Sequence, residues 1–208
     1  YRLEQDVLSR LLLPLGEAAS KESLRELLRS KGLANAEQKD SQEICFIPRG
    51  ESYGSFLEKR GVKGVPGPFL SEEGRILGTH KGLIHYTVGQ RKGLGGTFGK
   101  PMFVSELKPE ENAVVLTSND ALYKRKVRAN QLVFPGNGGR ASRVPGELEG
   151  CSISAKVRYA APPAEAVLFS GEEGEAVALF KEPQRAPSPG QSIVYYQGDR
   201  LLGGGVIT

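Results

Sequence analysis

With 208 residues, 28 Lys+Arg against 24 Asp+Glu and a formal net charge of +4, the chain is long enough for one large domain or two small ones. An apolar share of 38% beside 27 Gly and 13 Pro favours a turn-rich, largely β protein over a helical bundle. No apolar run nears the roughly 18–20 residues of a membrane span and no signal-peptide pattern opens the chain. Two cysteines 106 positions apart and only two histidines argue against a disulfide framework or a metal centre, so a cytosolic protein with no membrane contact is expected.

Residues 1–35 read as helical. Leu3, Val7, Leu8, Leu11 and Leu12 lay an apolar stripe along a first helix that Pro14-Leu15-Gly16 ends. Ser20 is placed to N-cap a second helix, with Glu22 in its first turn and Leu24, Leu27 and Leu28 facing inward. Gly32 suits the left-handed position after that helix, with Leu33 returning toward Leu28. Such short stripes need a larger body to cover them.

From about residue 44 the period changes to two. A short strand is expected at 44–47, stopped by Pro48, and 68–71 with 75–78 reads as a hairpin around Glu72-Glu73-Gly74. The span 80–104 is Gly-rich with strand-like ends, and strands are expected at 101–105, 112–118 and 128–134. Ile153, Ala155, Val157 and Tyr159 alternate with Ser152, Ser154, Lys156 and Arg158, which puts Arg158 on the polar face and Tyr159 on the other. Further strands at 165–170, 175–180, 191–196 and 201–207 point to a small closed barrel or sandwich.

The charge is unevenly spread. Residues 75–105 hold Arg75, Lys81, Arg91, Lys92, Lys100 and both histidines without an acid, and 121–145 add Lys124, Arg125, Lys126, Arg128, Arg140 and Arg143, again without one. Two acid-free basic windows in a β-rich chain fit either a polyanion partner or a solvated basic face.

Gly89-Gln90-Arg91-Lys92-Gly93-Leu94-Gly95-Gly96 is not a P-loop, because a Walker pattern ending at Gly99-Lys100 would need Gly where Leu94 stands and Ser or Thr where Pro101 stands. Phe98 in the third glycine position excludes the dinucleotide fingerprint. The loop is therefore either an ordinary flexible turn or a cradle offering backbone N–H groups and two cations to an RNA phosphate. Cys45 follows Asp40 and Glu43, carboxylates that disfavour a thiolate, and by residue type alone it reads as a small core residue. Cys151 reads as packing. His80 and His85 show no carboxylate partner in sequence and suit RNA contact or structure better than catalysis.

Taken together, several motifs match one family. Asp40-Ser41-Gln42-Glu43-Ile44-Cys45-Phe46-Ile47-Pro48 resembles the segment carrying the second active cysteine of bacterial tRNA-specific 2-thiouridylases. Gly78-Thr79-His80-Lys81-Gly82 with Tyr86-Thr87-Val88-Gly89-Gln90-Arg91-Lys92-Gly93-Leu94-Gly95 resembles the signature of that family's central domain. Lys156-Val157-Arg158-Tyr159, Pro189-Gly190-Gln191 and Leu202-Gly203-Gly204-Gly205-Val206-Ile207 are similar to its C-terminal barrel, itself similar to domain two of elongation factor Tu.

The resemblance implies an α+β, mainly β chain with a helical tail and cysteine segment at 1–48, a small β-rich central domain at 49–125 and a β-barrel at 126–208. It implies that Cys45 carries a persulfide loaded by a sulfur-relay protein and delivers sulfur to C2 of the wobble uridine, after ATP, with Mg, has adenylated that position. It assigns tRNA contact to Arg158, Tyr159 and Gln191, to which the basic loop adds Arg91 and Lys92, and it names glutamate, glutamine and lysine tRNAs as partners. The family's Ser-Gly-Gly motif with a following Asp, and its first cysteine, do not occur in these residues, and the chain opens at Tyr1 with Met102 its one methionine. The expectation is a piece of a longer enzyme, with no cofactor or metal site of its own and inactive in isolation. The rival readings are a stand-alone RNA-binding or assembly module, and a β protein whose cysteine is inert.

Overall fold

The computed structural model describes residues 1–37, 46–48 and 50–208. The first helix is shorter than its stripe: α1 covers only Gln5–Leu8. Pro14 disfavours helical geometry at Leu13, and most of the stripe stays exposed, with Leu3 at 43%, Val7 at 47%, Leu11 at 48% and Leu12 at 86%. α2 (Lys21–Ser30) forms as the sequence indicates. Ser20 and Ser23 cap each other reciprocally, and Gly32 at φ 67 carries the chain out of the helix. The Leu33 N–H then donates to the Leu28 carbonyl at 3.0 Å and the Gly32 N–H to Arg29 at 2.9 Å, a Schellman ending. Of the three leucines expected inside, Leu24 and Leu28 are half-buried, but Leu27 is exposed.

The strand expected at 44–47 lies partly outside the described residues; Phe46 and Ile47 form a turn and a bend instead. A helix follows that the sequence reading passed over, α3 (Tyr53–Lys59), whose N-cap Ser52 accepts the Ser55 N–H at 3.2 Å.

Two sheets make up the rest. The first runs β2-β1-β4-β3, from β1 (Gly67–Leu70), β2 (Ile76–His80), β3 (Phe103–Lys108) and β4 (Ala113–Thr117). β1 pairs parallel with β4, and every other pairing in this sheet is antiparallel. β4 is buried throughout, and Phe69, Val104, Val114 and Leu116 centre the core with Tyr86 and Leu94 from the long β2–β3 connection.

The second sheet closes on itself. β5 (Tyr123–Phe134) pairs with β9 (Ala176–Arg185) on one side and with β11 (Arg200–Ile207) on the other. Between them run β10 (Ser192–Gln197), β7 (Ser152–Lys156) and β8 (Ala164–Ser170), giving a closed six-stranded barrel, with β6 (Gly139–Arg140) appended to the end of β5. Inward residues alternate as the period of two requires, and Phe134, Leu168, Phe180, Ile193 and Tyr195 fill the interior. Each such side chain contributes about 1.5–3 kcal/mol by leaving water. The barrel meets the first sheet through a small buried cluster of Phe103, Leu122 and Ala186, with Val88 against it. No helix among the described residues is long and apolar enough to cross a membrane.

Candidate nucleic-acid interface

The glycine loop is braced rather than free. Gly89, at φ 89, donates its N–H to the Val104 carbonyl at 2.7 Å, and the Val104 N–H returns to the Gln90 carbonyl at 2.9 Å. The Gln90 side chain spans the turn, accepting the Thr87 N–H at 3.0 Å and donating to the Lys92 carbonyl at 2.9 Å. Leu94 plugs the core of the first sheet. Arg91 and Lys92 are left exposed at the apex, with no acidic partner among the described residues.

Both histidines are tied into the fold. His80 is fully buried: its Nδ1 accepts the Gly82 N–H at 3.0 Å, which leaves Nε2–H to donate to the Asn112 carbonyl at 2.9 Å. His85 has a carboxylate partner after all, Glu58 of α3 at 3.1 Å, contributed from 27 residues away. Its ring packs so closely on α3 that a Cβ at Gly54 would stand 2.1 Å from Nδ1.

Cys45 lies outside the described residues, and both flanks of its segment make contacts. Before it, the Arg29 Nε donates to Glu37 at 2.7 Å, a contact that holds the Glu37 carboxyl below the usual carboxylate range. After it, the Phe46 ring lies 5.6 Å from Phe56 of α3, and Ile47 is buried. Cys151 is a free thiol just before β7 that donates to the Glu147 carbonyl at 3.1 Å.

Alternation places Tyr159 inside, and the structure reverses this. β7 ends at Lys156 and the chain turns through 157–160, so Val157 is still buried while Tyr159 is 98% exposed, its ring centroid 5.8 Å from Lys156 Nζ. Arg158 is half-buried, and its Nη2 donates to the carbonyls of Arg185 at 2.6 Å and Ala186 at 2.7 Å. The segment 185–191 that receives it ends at Gln191, an exposed residue whose N–H donates to the Ser188 carbonyl at 3.1 Å and whose carbonyl accepts the Ile207 N–H at 2.8 Å. Gly89 abuts the same segment: a Cβ there would lie 3.2 Å from that of Ala186. The base of the basic loop, Arg158 and Gln191 therefore meet along one stretch of backbone. Beside it, a cleft of about 640 Å³ opens between sheet and barrel, with Lys124, Lys126 and Arg128 on its barrel wall.

The chain matches three family profiles in order: a tRNA methyl transferase HUP domain over residues 1–49, a tRNA methyl transferase PRC-barrel domain over 54–118 and an aminomethyltransferase beta-barrel domain over 142–207. It is 44% identical over 208 residues to the tRNA-specific 2-thiouridylase MnmA of Lachnoclostridium phytofermentans, covering all of this chain and 56% of that protein. The proteins of the same name from Heliobacterium modesticaldum and Acetivibrio thermocellus are 46% identical over 210 residues and 42% over 208, again across the whole chain and 52% and 55% of theirs. The chain belongs to the tRNA-specific 2-thiouridylase family. It spans about half the length of the curated relatives it matches.

Within that 2-thiouridylase frame, the first sheet falls in the PRC-barrel match, and most of the closed barrel, β7 to β11, falls in the beta-barrel match. Sequence reasoning missed α3 with Glu58, and it missed Arg185 and Ala186. Pro187 only disfavours right-handed helical geometry at Ala186 and favours an extended backbone there, so the observed φ of 49 had no local signal.

Proposed function

We propose that this chain is the sulfur-presenting and tRNA-docking portion of a tRNA 2-thiouridylase. In this reading Cys45 carries a persulfide supplied by a sulfur-relay protein, and in the cytosol its outer sulfur bonds to C2 of the adenylated wobble uridine as AMP leaves. The family's first cysteine, outside these residues, then attacks the Cys45 sulfur, so that the S–S bond breaks toward the uridine and the two cysteines are oxidised to a disulfide. Glutamate, glutamine and lysine tRNAs are the proposed partners. Arg91 and Lys92 from the loop, with Arg158, Tyr159 and Gln191 at the barrel edge, form the tRNA-facing set. The domain limits 1–48, 49–125 and 126–208 are retained.

The observation that carries the reading is the convergence of the loop base, Arg158 and Gln191 on residues 185–191, with two cations and an aromatic ring presented to solvent around it. Exposed cations suit phosphates, and an exposed ring suits an unstacked base. The glycine loop is not read as an ATP cradle. Leu94 occupies the core where a phosphate loop needs glycine, and the Ser-Gly-Gly motif does not occur in the 208 residues. Uridine activation by ATP and Mg is assigned to residues outside this chain, and these 208 residues alone are proposed not to thiolate tRNA.

Equilibrium binding to a glutamate tRNA at several salt concentrations tests the docking role. Wild-type affinity should fall steeply with salt. Replacing both Arg91 and Lys92 by Ala should flatten the log–log slope by about 1.4–1.8, since each phosphate contact contributes about 0.7–0.9. Absence of binding even at low salt would overturn it.

A further inference from the structure

Arg158 is bound into the joint between barrel and sheet more closely than a surface phosphate ligand needs to be. β9 ends at Arg185, so the carbonyls of Arg185 and Ala186 leave the strand ladder just where the chain turns toward β10. One nitrogen of the Arg158 guanidinium caps both, at 2.6 and 2.7 Å, and the Ser188 hydroxyl adds a donor to Ala186 at 3.1 Å. Charge-assisted donors to carbonyls are stronger than neutral ones, and the planar guanidinium holds the two N–H bonds of that nitrogen in a fixed direction toward both acceptors.

What that cap holds is the crossing itself. The Ala186 N–H donates to the Leu122 carbonyl at 2.8 Å, and the side chain is buried with Phe103 and Leu122. The Arg185 guanidinium reaches the other way, with Nε 3.3 Å from Asn119 Oδ1 and its centre 5.4 Å from the Phe103 ring centroid. Gly89 rests on Ala186. Ala186 sits in the left-handed region, which is strained for a residue bearing a Cβ and persists only where its surroundings hold it.

We propose that Arg158 is a positioning residue for tRNA recognition. It locks the Arg185–Ala186 crossing and so fixes the Arg91–Lys92 loop at its distance from Tyr159 and Gln191, rather than serving chiefly as a phosphate contact. The tRNA consequence rests on the proposed docking function; the lock itself does not.

The test separates the two. Arg158→Lys and Arg158→Ala are made in the full chain, with amide hydrogen exchange read at Gly89 and Ala186 and tRNA binding read against salt. Both variants should lose about tenfold or more in protection at those two amides while Leu168 in the barrel core stays protected. Both should bind tRNA more weakly with the salt slope unchanged, and retained charge in Arg158→Lys should not rescue affinity. Arg185→Ala should reproduce the binding loss, and it stands in if Arg158→Ala does not fold. A slope reduced by about 0.7–0.9 in Arg158→Ala, full rescue by Arg158→Lys and unchanged exchange would overturn the proposal in favour of direct contact. If wild-type chain binds no tRNA, the docking function fails, and the exchange data still decide the lock.

Discussion

His80 and Asn112 are 32 residues apart in sequence and share one buried hydrogen bond, Nε2–H to carbonyl at 2.9 Å. Asn112 in turn donates its side-chain amide to the carbonyls of Val65 and Pro66 at 3.2 and 3.0 Å, so the two residues tie the β3–β4 turn to the approach into β1. The imidazole edge also meets the Phe69 and Tyr86 rings at 5.6 and 5.7 Å.

Replacing His80 by Ala should therefore cost about 2–4 kcal/mol of folding stability. The change strips a buried ring and strands both the Gly82 N–H and the Asn112 carbonyl. Urea denaturation measures it, and a loss under about 1 kcal/mol would contradict the assigned bonds.

Tyr195 should respond in the opposite direction. Its hydroxyl is buried without a hydrogen-bond partner among the described residues, while its ring stacks on Phe134 at 6.1 Å. Tyr195→Phe keeps the stack and removes the orphan, so stability should hold or rise by up to about 1 kcal/mol.

The same burial, with a smaller push from Tyr1, holds the Tyr195 phenol neutral well above its ordinary range. Above pH about 10 the unfolded chain releases this proton and the folded chain does not, so the unfolded state binds fewer protons and stability falls as pH rises. Alkaline denaturation of Tyr195→Phe should show a shallower loss than wild type between about pH 10 and 12.

Gly54→Ala tests the seat of α3. The new methyl would collide with the His85 ring, and overpacking of this kind costs about 1–3 kcal/mol. Phe46 should become more mobile in the variant, because the Phe56 ring beside it moves with the helix. Methyl and aromatic NMR line shapes report this directly.

Tyr159→Ala should leave stability within about 0.5 kcal/mol of wild type, since a side chain 98% exposed leaves nothing buried behind. Any drop in tRNA affinity is then a recognition effect, which binding at fixed salt quantifies.

Local chemistry made much of this fold readable. Gly32 after α2, the hairpin around Glu72-Glu73-Gly74 and the alternation of Ile153 with Ser154 each encode their geometry within a few residues. α3 was missed because seven residues with Phe56 as the one large buried side chain carry too little period to register. Tyr159 was inverted because alternation was extended three residues past the last strand residue, Lys156. The partners of Arg158 and His85 stand 27 or 28 positions away, a distance no local pattern spans. The roles proposed for Cys45, Arg158, Tyr159 and Gln191 came from motif resemblance, and Arg91 and Lys92 from the charge of the glycine loop, not from periodicity.

The pairing of β5 with β11 joins Ala129 to Ile207 and Val133 to Gly204. A barrel sealed by partners more than seventy positions apart folds against a large loop-closure entropy, which slows such topologies relative to helical ones. The seal also reaches the candidate interface. Residues 185–191 lie between β9 and β10, and their far end is bonded to β11, with the Gly190 N–H on the Ile207 carbonyl at 2.9 Å and the Ile207 N–H on the Gln191 carbonyl at 2.8 Å. Gln191 is therefore held by the strand that closes the barrel, while Gly89 and Arg158 meet the other end of the same stretch.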